Sequence, residues 1–311
     1  MNINVFDLTV NGTHTSIQKT FYDTVRISNN RGYYNIQIFM GSPYSLIRKQ
    51  FTDEDLLQTK RYIDDSYITV FTHLPYVINL AGSAKLNKYC WNGDEEVDEY
   101  VEKCIRTIEY ECKTIGKIQP VVKGGCVLHV GSIGTLKDRK KGLECVAESI
   151  NKINFTDDCC KLILETMVGR GGVLGTSFTE LQYIYSLIKE EKRKYVGFCI
   201  DTCHIFAEGL YKLDVEKDVD KMFDEFFKYF RLSDLSLFHL NDSVCQYNSK
   251  QDRHATLKNG CIWSVKTEGL KHLVKKCKEY DIPIILETEE SDYQVVQELS
   301  NELPQKHNCH T

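Results

Sequence analysis

The sequence has no long hydrophobic run and no recognisable secretory leader. No window reaches the roughly 18 uncharged apolar residues that a membrane-spanning helix needs. The start, MNINVFDLTV, lacks the basic segment followed by an apolar segment that marks a signal peptide. These absences argue against a membrane or secreted protein. We therefore expect no membrane partner and a location inside the cell, in the cytoplasm, the nucleus or a virion.

Proline is scarce, with 5 residues in 311, and no low-complexity stretch resembles an interdomain linker. The sequence thus predicts one domain over residues 1–311, with 1–10 and 303–311 as peripheral ends, and we expect a monomer. The 13 cysteines are odd in number and include no Cys-x-x-Cys pair. In a long chain without a leader, this pattern indicates reduced thiols buried as small apolar side chains.

A surplus of positive charge is also missing. The chain has 39 Lys and Arg against 44 Asp and Glu, a formal net charge of −5. Proteins that bind nucleic acids usually carry a basic surplus, so the balance at first argues against such a partner.

Apolar segments typical of strands alternate with amphipathic helical patterns along the chain. The predicted strands are approximately 8–17, 35–40, 67–74, 126–132, 161–167, 196–204, 235–242 and 283–289. The predicted helices are approximately 53–65, 94–115, 137–152, 177–189, 214–230, 266–280 and 291–303. Eight strands that alternate with helices predict an α/β fold, the (β/α)₈ TIM barrel, with the active site at the carboxyl ends of its strands. The alternative is a doubly wound open sheet.

Histidines and carboxylates cluster where these strands end. Six of them lie toward the carboxyl end of a predicted strand: His73, His129, Glu165, Asp201, His239 and Glu287. His204 follows Asp201 by three residues, and Asp252 and His254 form an Asp-x-His pair on the loop after the seventh strand. In a closed barrel these positions converge on one face.

Nine nitrogen and oxygen donors without thiolate suit Zn²⁺ or Mn²⁺ in a catalytic site. At roughly three to four protein ligands per ion, with one carboxylate shared, they suit a cluster of three ions. A single histidine at a strand end is more often structural. However, carboxylates in apolar strands, such as Glu165 in KLILETM, are costly unless they are paired or bound to metal.

Eight motifs resemble the endonuclease IV family of apurinic/apyrimidinic (AP) endonucleases over about residues 11–290. They are THTS, HLPYVINLAG, LHVGS, ETMVGRG, CIDTCHIFAEG, HLNDS, DRHATL and ILET. The combination of FCIDTCH, HLNDS and DRH is highly specific, whereas LHVGS alone is weak. The chain departs from the family pattern at Thr166, Met167 and Val130, and none of these is a ligand position.

The resemblance implies a TIM barrel that holds three zinc ions, with Mn²⁺ as a substitute. Its ligand sets are His73, His129 and Glu165 for the first ion, Glu165, Asp201, His239 and Glu287 for the second, and His204, Asp252 and His254 for the third. Glu165, Glu287 and Asp201 are the catalytic candidates. The implied reaction is hydrolysis of the phosphodiester bond 5′ to an abasic site in duplex DNA, which leaves a 3′-hydroxyl and a 5′-deoxyribose phosphate, with 3′-end trimming as an added activity.

The expected partner is therefore duplex DNA with abasic sites. Tyr76 matches the family position of an aromatic side chain that inserts into the duplex, although it is one of 18 tyrosines. Gln37 is expected to contact DNA or to position a ligand, and Lys137 and Arg139 to contact the DNA backbone. Three divalent ions would change the formal charge from −5 to +1, so an acidic chain is compatible with this partner.

Two alternatives remain from the sequence. A sugar isomerase or epimerase on the same barrel also gathers Glu, Asp and His at strand ends. It needs one or two ions, and it leaves Asp252 and His254 without a use. A non-catalytic barrel that binds damaged DNA is the other alternative, and the complete ligand set argues against it.

Overall fold

The computed structural model describes residues 12–83, 88–90, 95–119 and 124–301. Eight strands form its main sheet: β1 (Gly12–His14), β2 (Asn35–Ile38), β3 (Thr69–His73), β6 (Gly125–Leu128), β7 (Lys161–Glu165), β8 (Val196–Asp201), β9 (Leu235–His239) and β12 (Ile284–Ile285). Two short ribbons add β4 (Gly82–Ser83) with β5 (Lys88–Tyr89), and β10 (Asp242–Ser243) with β11 (His254–Ala255). The start of the predicted first strand and the peripheral ends 1–10 and 303–311 lie outside the described residues.

The main sheet is parallel throughout and runs in the order β1-β2-β3-β6-β7-β8-β9-β12. Its two ends meet, because Thr13 bridges to Leu286 and the amide of His14 donates to the Leu286 carbonyl at 2.8 Å. The sheet is thus a closed barrel, which confirms the predicted TIM barrel and excludes the open sheet. All eight predicted barrel strands are present, although most are shorter than predicted.

Helices cover the outside of the barrel. They are α1 (Phe21–Asn30), α2 (Asp53–Ser66), α3 (Glu95–Ile118), α4 (Arg139–Lys152), α5 (Phe178–Leu187), α6 (Glu190–Arg193), α7 (Thr202–Ala207), α8 (Glu216–Phe227), α9 (Glu268–Tyr280) and α10 (Ser291–Asn301). Side-chain caps begin several of them, since Thr20, Thr52 and Ser177 each accept a hydrogen bond from a first-turn amide. Within the described residues, none of the helices is both long enough and apolar enough to cross a membrane.

The two faces of the barrel sheet bury different side chains because neighbouring residues of a strand point in opposite directions. Inward-pointing side chains form a small apolar plug at the barrel centre: Phe71, Val127, Ile163, Cys199, Leu237 and Ile285. Outward-pointing side chains join the larger core between sheet and helices. The twelve described cysteines are free thiols, and ten of them are buried, as expected.

The chain leaves β8 earlier than the sequence predicts. The predicted strand runs to His204, but β8 ends at Asp201 and α7 begins at Thr202. Asp201 causes this change, because its Oδ1 accepts a hydrogen bond from the His204 amide at 2.9 Å and caps the helix. His204 therefore stands on the first turn of a helix and not on a strand.

Candidate metal centre

The donors predicted from the sequence meet at the carboxyl ends of the barrel strands. His73, Glu165, Asp201 and His239 are the last residues of β3, β7, β8 and β9. His129 directly follows β6, and Glu287 follows β12 by two residues. Glu165, Asp201, His204 and His239 are at most 2% exposed, so the centre lies below the protein surface.

Glu165 stands at the middle of the first group. Its Oε2 lies 3.1 Å from His129 Nε2 and 3.4 Å from His73 Nε2. Its Oε1 lies 3.0 Å from His239 Nδ1. One carboxylate thus faces two histidines on one side and a third on the other, which is the arrangement required of a bridging ligand.

The remaining donors lie next to this group. His239 Nδ1 is 3.3 Å from Glu287 Oε2 and 3.9 Å from Asp201 Oδ2. A further set is formed by Asp252, whose carboxylate oxygens are each 3.1 Å from a ring nitrogen, one of His204 and one of His254. The structure brings all nine predicted donors into three adjoining sets.

The histidine rings are oriented by the nitrogen that points away from the centre. His73 Nδ1 donates to the Leu74 carbonyl and His204 Nδ1 donates to the Thr166 carbonyl, both at 2.7 Å. These hydrogen bonds leave the Nε2 atom of each ring directed at a carboxylate. Metal-ligating histidines are typically held in this way.

Several donor atoms lack the partners that burial normally demands. In the described part of the chain, Glu165 Oε2, His204 Nε2 and His254 Nε2 are buried and form no hydrogen bond of good geometry, although each lies 3.1 Å from a nitrogen or oxygen of another predicted donor. Close approach without a well-directed hydrogen bond is what a shared cation would satisfy. Imidazole and carboxylate donors at this spacing fit Zn²⁺ or Mn²⁺.

The charges in the centre are strongly coupled. Burial opposes the ionisation of Glu165, but the charges of His239 and His129 hold the pKa of its carboxyl well below the usual range. Burial likewise opposes the ionisation of Glu287, yet His239 lowers its pKa to about 2. Burial would lower the pKa of His254, and the charge of Asp201 raises it to about 9. Without a metal ion, protons on the imidazoles balance the carboxylates.

Two amides hold the ligands from behind. Asn241 Nδ2 donates to Asp201 Oδ2 at 2.8 Å and to Glu287 Oε2 at 3.0 Å. Gln37 Nε2 donates to Glu287 Oε1 at 2.8 Å, and Gln37 Oε1 accepts from His239 Nε2 at 2.8 Å. Gln37 is fully buried, and this position does not favour a direct contact with DNA. Its contacts match the second role expected of it, which is to position ligands.

A buried carboxylate helps to hold the loop that carries Asp252 and His254. Asp242 accepts hydrogen bonds from the backbone amides of Ser243 at 2.7 Å, Ile262 at 2.9 Å and Gly260 at 3.2 Å. The side chain is fully buried, so it acts as the anchor of this loop. The β10–β11 ribbon continues from this anchor to His254.

A cavity of about 570 Å³ opens above the donors and contains Tyr76 in its wall. Tyr76 is 42% exposed, and its ring stacks on that of His129 with centroids 5.2 Å apart. A second cavity of about 550 Å³ shares Tyr76 and His129 and extends to Tyr44, which is 74% exposed. The structure therefore places two exposed tyrosines beside the centre.

The predicted basic contacts are placed differently from one another. Lys137 is exposed on the loop before α4. Arg139 is turned toward the protein, where its guanidinium binds both carboxylate oxygens of Glu180. Glu180 also accepts from the amides of Gly175 and Thr176. Arg139 thus stabilises the loop after β7, and its charge is paired with Glu180, so this placement does not favour the expected contact with the DNA backbone, which stays a prediction.

Sequence reasoning gave no role to two residues that the structure places at the site. Arg170 is exposed and lines the cavity above the donors. Its position in ETMVGRG, within the loop after Glu165, is the sequence signal that could have identified it as a site residue. His14 lies behind the centre with Nδ1 3.2 Å from Gln37 Nε2, and burial lowers its pKa to about 4. His14 is therefore neutral and accepts a hydrogen bond from Gln37.

Comparisons with known proteins agree with this geometry. Residues 25–306 match the model of the xylose isomerase-like TIM barrel family. A putative endonuclease 4 of Acanthamoeba polyphaga mimivirus is 28% identical over 89% of this chain and 84% of its own. A probable endonuclease 4 of Nitrosopumilus maritimus is 30% identical over 89% and 92%. Endonuclease IV of Thermus thermophilus has the same fold, with 24% identity, a TM-score of 0.73 and coverage of 94% and 99%. The chain belongs to the xylose isomerase-like TIM barrel family and, within it, to the endonuclease IV type.

Proposed function

We propose that this protein is a metal-dependent DNA-repair endonuclease that hydrolyses the phosphodiester bond 5′ to abasic sites in duplex DNA. The products would be a 3′-hydroxyl and a 5′-deoxyribose phosphate, with 3′-end trimming as a secondary activity. The names of the relatives support an endonuclease. The observation that carries the proposal is the third donor set, His204, Asp252 and His254, which joins the set around Glu165.

That third set separates the proposal from a sugar isomerase or epimerase. An isomerase on this barrel has no use for Asp252 and His254, whereas a phosphodiester contacted by three positive centres does. We propose three Zn²⁺ ions, one in each of the three donor sets, with Mn²⁺ as a substitute. We propose a monomer, because one chain supplies all nine donors and the site needs no residue from a second copy. The match over residues 25–306 favours a single barrel domain.

Bound divalent ions would supply Lewis acidity, because they neutralise phosphate charge and lower the pKa of water. The residues of the chain perform the remaining tasks. Glu165 stays ionised and holds two ligand sets at a fixed separation. The Glu287 carboxylate, fixed by Gln37 and Asn241, accepts a hydrogen bond from the attacking water and orients it. Asp201 carries the same Asn241 contact and caps the helix that presents His204.

Residues around the cavity would recognise the damaged duplex. Tyr76 presents a ring face next to the donors and is placed to fill the space left by a missing base. Arg170 and Lys137 are exposed cations on the same side of the barrel and would bind backbone phosphates. A nucleotide without a base loses little stacking when it leaves the duplex, and this low cost favours abasic sites.

The proposal is tested by metal analysis and an incision assay on the same preparation. We expect zinc in purified protein, incision of a duplex with one tetrahydrofuran abasic analogue, and loss of incision in EDTA. The fully paired duplex of the same sequence is the control substrate. Asp252→Asn should reduce both zinc content and incision. Incision that survives complete metal removal, or an intact abasic duplex with zinc-loaded protein, would overturn the proposal.

A further inference from the structure

A second group of potential metal ligands lies on the other face of the barrel sheet. Cys112 on α3, Cys126 on β6 and Cys160 just before β7 have sulfur atoms within 4.8 Å of one another. All three belong to the core between sheet and helices, and each is 0% exposed. The cluster is thus separated by the sheet from the metal centre, which opens at the strand ends.

The spacing of the thiols matches that of ligands around one ion. Sulfur atoms at about 2.3 Å from a tetrahedral zinc lie about 3.8 Å apart. The Cys126 and Cys160 sulfur atoms are 3.5 Å apart. The backbone also fixes the group, because the Cys160 amide donates to the Cys112 carbonyl at 3.1 Å.

A buried carboxylate and a buried hydroxyl lie beside the thiols. Glu111, the neighbour of Cys112 on α3, is 0% exposed, and its charge interacts with that of Cys126. The hydroxyl of Thr72, which pairs with Cys126 in the sheet register, interacts with both Glu111 and Cys126. The thiols therefore lie in a buried polar pocket inside the apolar core.

The charges of the group can be balanced by one divalent ion. Arg48 is buried and lies 3.4 Å from Glu111 Oε1, so it offsets the charge of the carboxylate. Zn²⁺ with three thiolates then leaves one negative charge, as in the Cys₃His sites of structural zinc.

We propose that Cys112, Cys126 and Cys160 form a structural Zn²⁺ site with three thiolate ligands between α3 and the barrel sheet. The site joins a helix to two neighbouring strands and contributes to the stability of the fold. It takes no part in catalysis, because its three ligands lie outside the residues that line the cavity above the donors. The inference does not depend on the proposed function, since the ligands of the two sites have no residue in common.

Zinc X-ray absorption spectroscopy of the full-length protein, purified with zinc, tests the site. The nine catalytic donors are nitrogen and oxygen, but Cys199 and Cys203 lie beside them, so sulfur scattering at about 2.3 Å reports the outer cluster when it is lost with Cys126 or Cys160. We expect that signal in the wild type, its loss in Cys126→Ser and in Cys160→Ala, and its retention in Cys203→Ala. The last variant is the matched control, because Cys203 is a buried thiol near the catalytic donors.

The wild-type spectrum alone can refute the inference, even if the cluster variants fail to fold. Absence of sulfur scattering in zinc-saturated wild type would overturn it. Retention of that signal in Cys126→Ser, or its loss in Cys203→Ala, would overturn it too. A failure of abasic-site incision would leave the sulfur signal unchanged, so this test and that of the proposed function fail independently.

Discussion

The two donor clusters differ although β6 and β7, with the residues next to them, contribute to both. His73 of β3 faces the cavity, while Thr72 beside it lies against the thiols. Cys126 of β6 points outward, and His129 follows the end of the same strand toward Glu165. The inner cluster combines imidazole with carboxylate and borders an open cavity, whereas the outer cluster is sulfur-rich and sealed.

This difference follows from what each face can offer. At the carboxyl ends of the strands, side chains of the barrel sheet face a cavity that is open to solvent. A metal site that must admit water and substrate is therefore expected at this end of the barrel. The outer face is covered by helices, and a site there has no free position for substrate. Catalytic and structural metal sites differ in this respect. Substitutions in the two clusters should therefore separate chemistry from stability.

The largest expected effect is the loss of incision in Glu287→Gln. The variant can keep one of the two amide hydrogen bonds that Glu287 accepts, from Asn241 or from Gln37, and it loses the charge that orients water. We therefore expect incision to fall roughly 10²- to 10⁴-fold, with only a small decrease in the unfolding temperature. Cys126→Ser should do the reverse and lower the unfolding temperature while incision stays close to the wild-type rate. Single-turnover incision and thermal unfolding of both variants measure the contrast. Near-normal incision by Glu287→Gln would remove its catalytic role.

The fold could be predicted because each barrel strand is a short apolar segment that ends in a polar residue. The sequence did not show α1, because its buried face includes Thr24 and Ser28 and so breaks the apolar period. The predicted strand also extended from β8 into α7, since the apolar content of FCIDTCH hides the capping role of Asp201. Local hydrogen bonds decide these boundaries, and residue pattern alone does not reveal them.

The site could be predicted as a set of residues but not as a network. Donor types at strand ends place His73, Glu165 and His239 together, while their roles as ligands remain predictions. That Arg139 is paired with Glu180, 41 positions away, depends on packing between α4 and α5. The thiol cluster was missed for the same reason, since its cysteines are far apart in sequence and match no ligand spacing.

The second-largest expected effect is a loss of stability of the metal-free protein as the pH rises. The pKa of His254 is about 9 in the folded protein and about 6.5 when unfolded, so its contribution is complete below pH 6.5 and is lost as the pH rises to 9. This contribution is on the order of 3 kcal/mol. Zinc requires neutral imidazole, so the zinc-loaded protein should not lose stability over that range. Chemical unfolding at pH values spanning this window measures both forms.

His254→Asn provides the control for this pH effect. The metal-free variant should have a flatter stability profile between the two pKa values of His254 than the metal-free wild type. If the stability of metal-free and zinc-loaded wild type depended on pH in the same way, protons on the imidazoles would not be replacing the metal ions, and the prediction would be wrong.

A smaller effect is expected from Gln37→Leu. The substitution removes the acceptor that holds His239 Nε2–H and the donor to Glu287 Oε1, while it keeps a side chain of similar size. Loss of such a partner typically weakens metal binding by about 10- to 100-fold. Competition with a chromophoric chelator measures this affinity. The matched control is Gln119→Leu, a buried amide that hydrogen-bonds the backbone of Val70 on β3, and it should leave zinc affinity unchanged.

The smallest expected effect concerns Tyr76, at the point where the inner cluster meets DNA. Tyr76→Ala removes a ring that stacks on His129 and fills the cavity wall, so we expect kcat/KM on an abasic duplex to fall about tenfold, as for a lost stacking contact. Tyr76→Phe keeps the ring and should stay close to the wild type. Because burial raises the pKa of the Tyr76 hydroxyl, that group stays protonated, and the pH profile of Tyr76→Phe should match the wild type. Equal losses in the Ala and Phe variants would show that the hydroxyl, and not the ring face, is what the site requires.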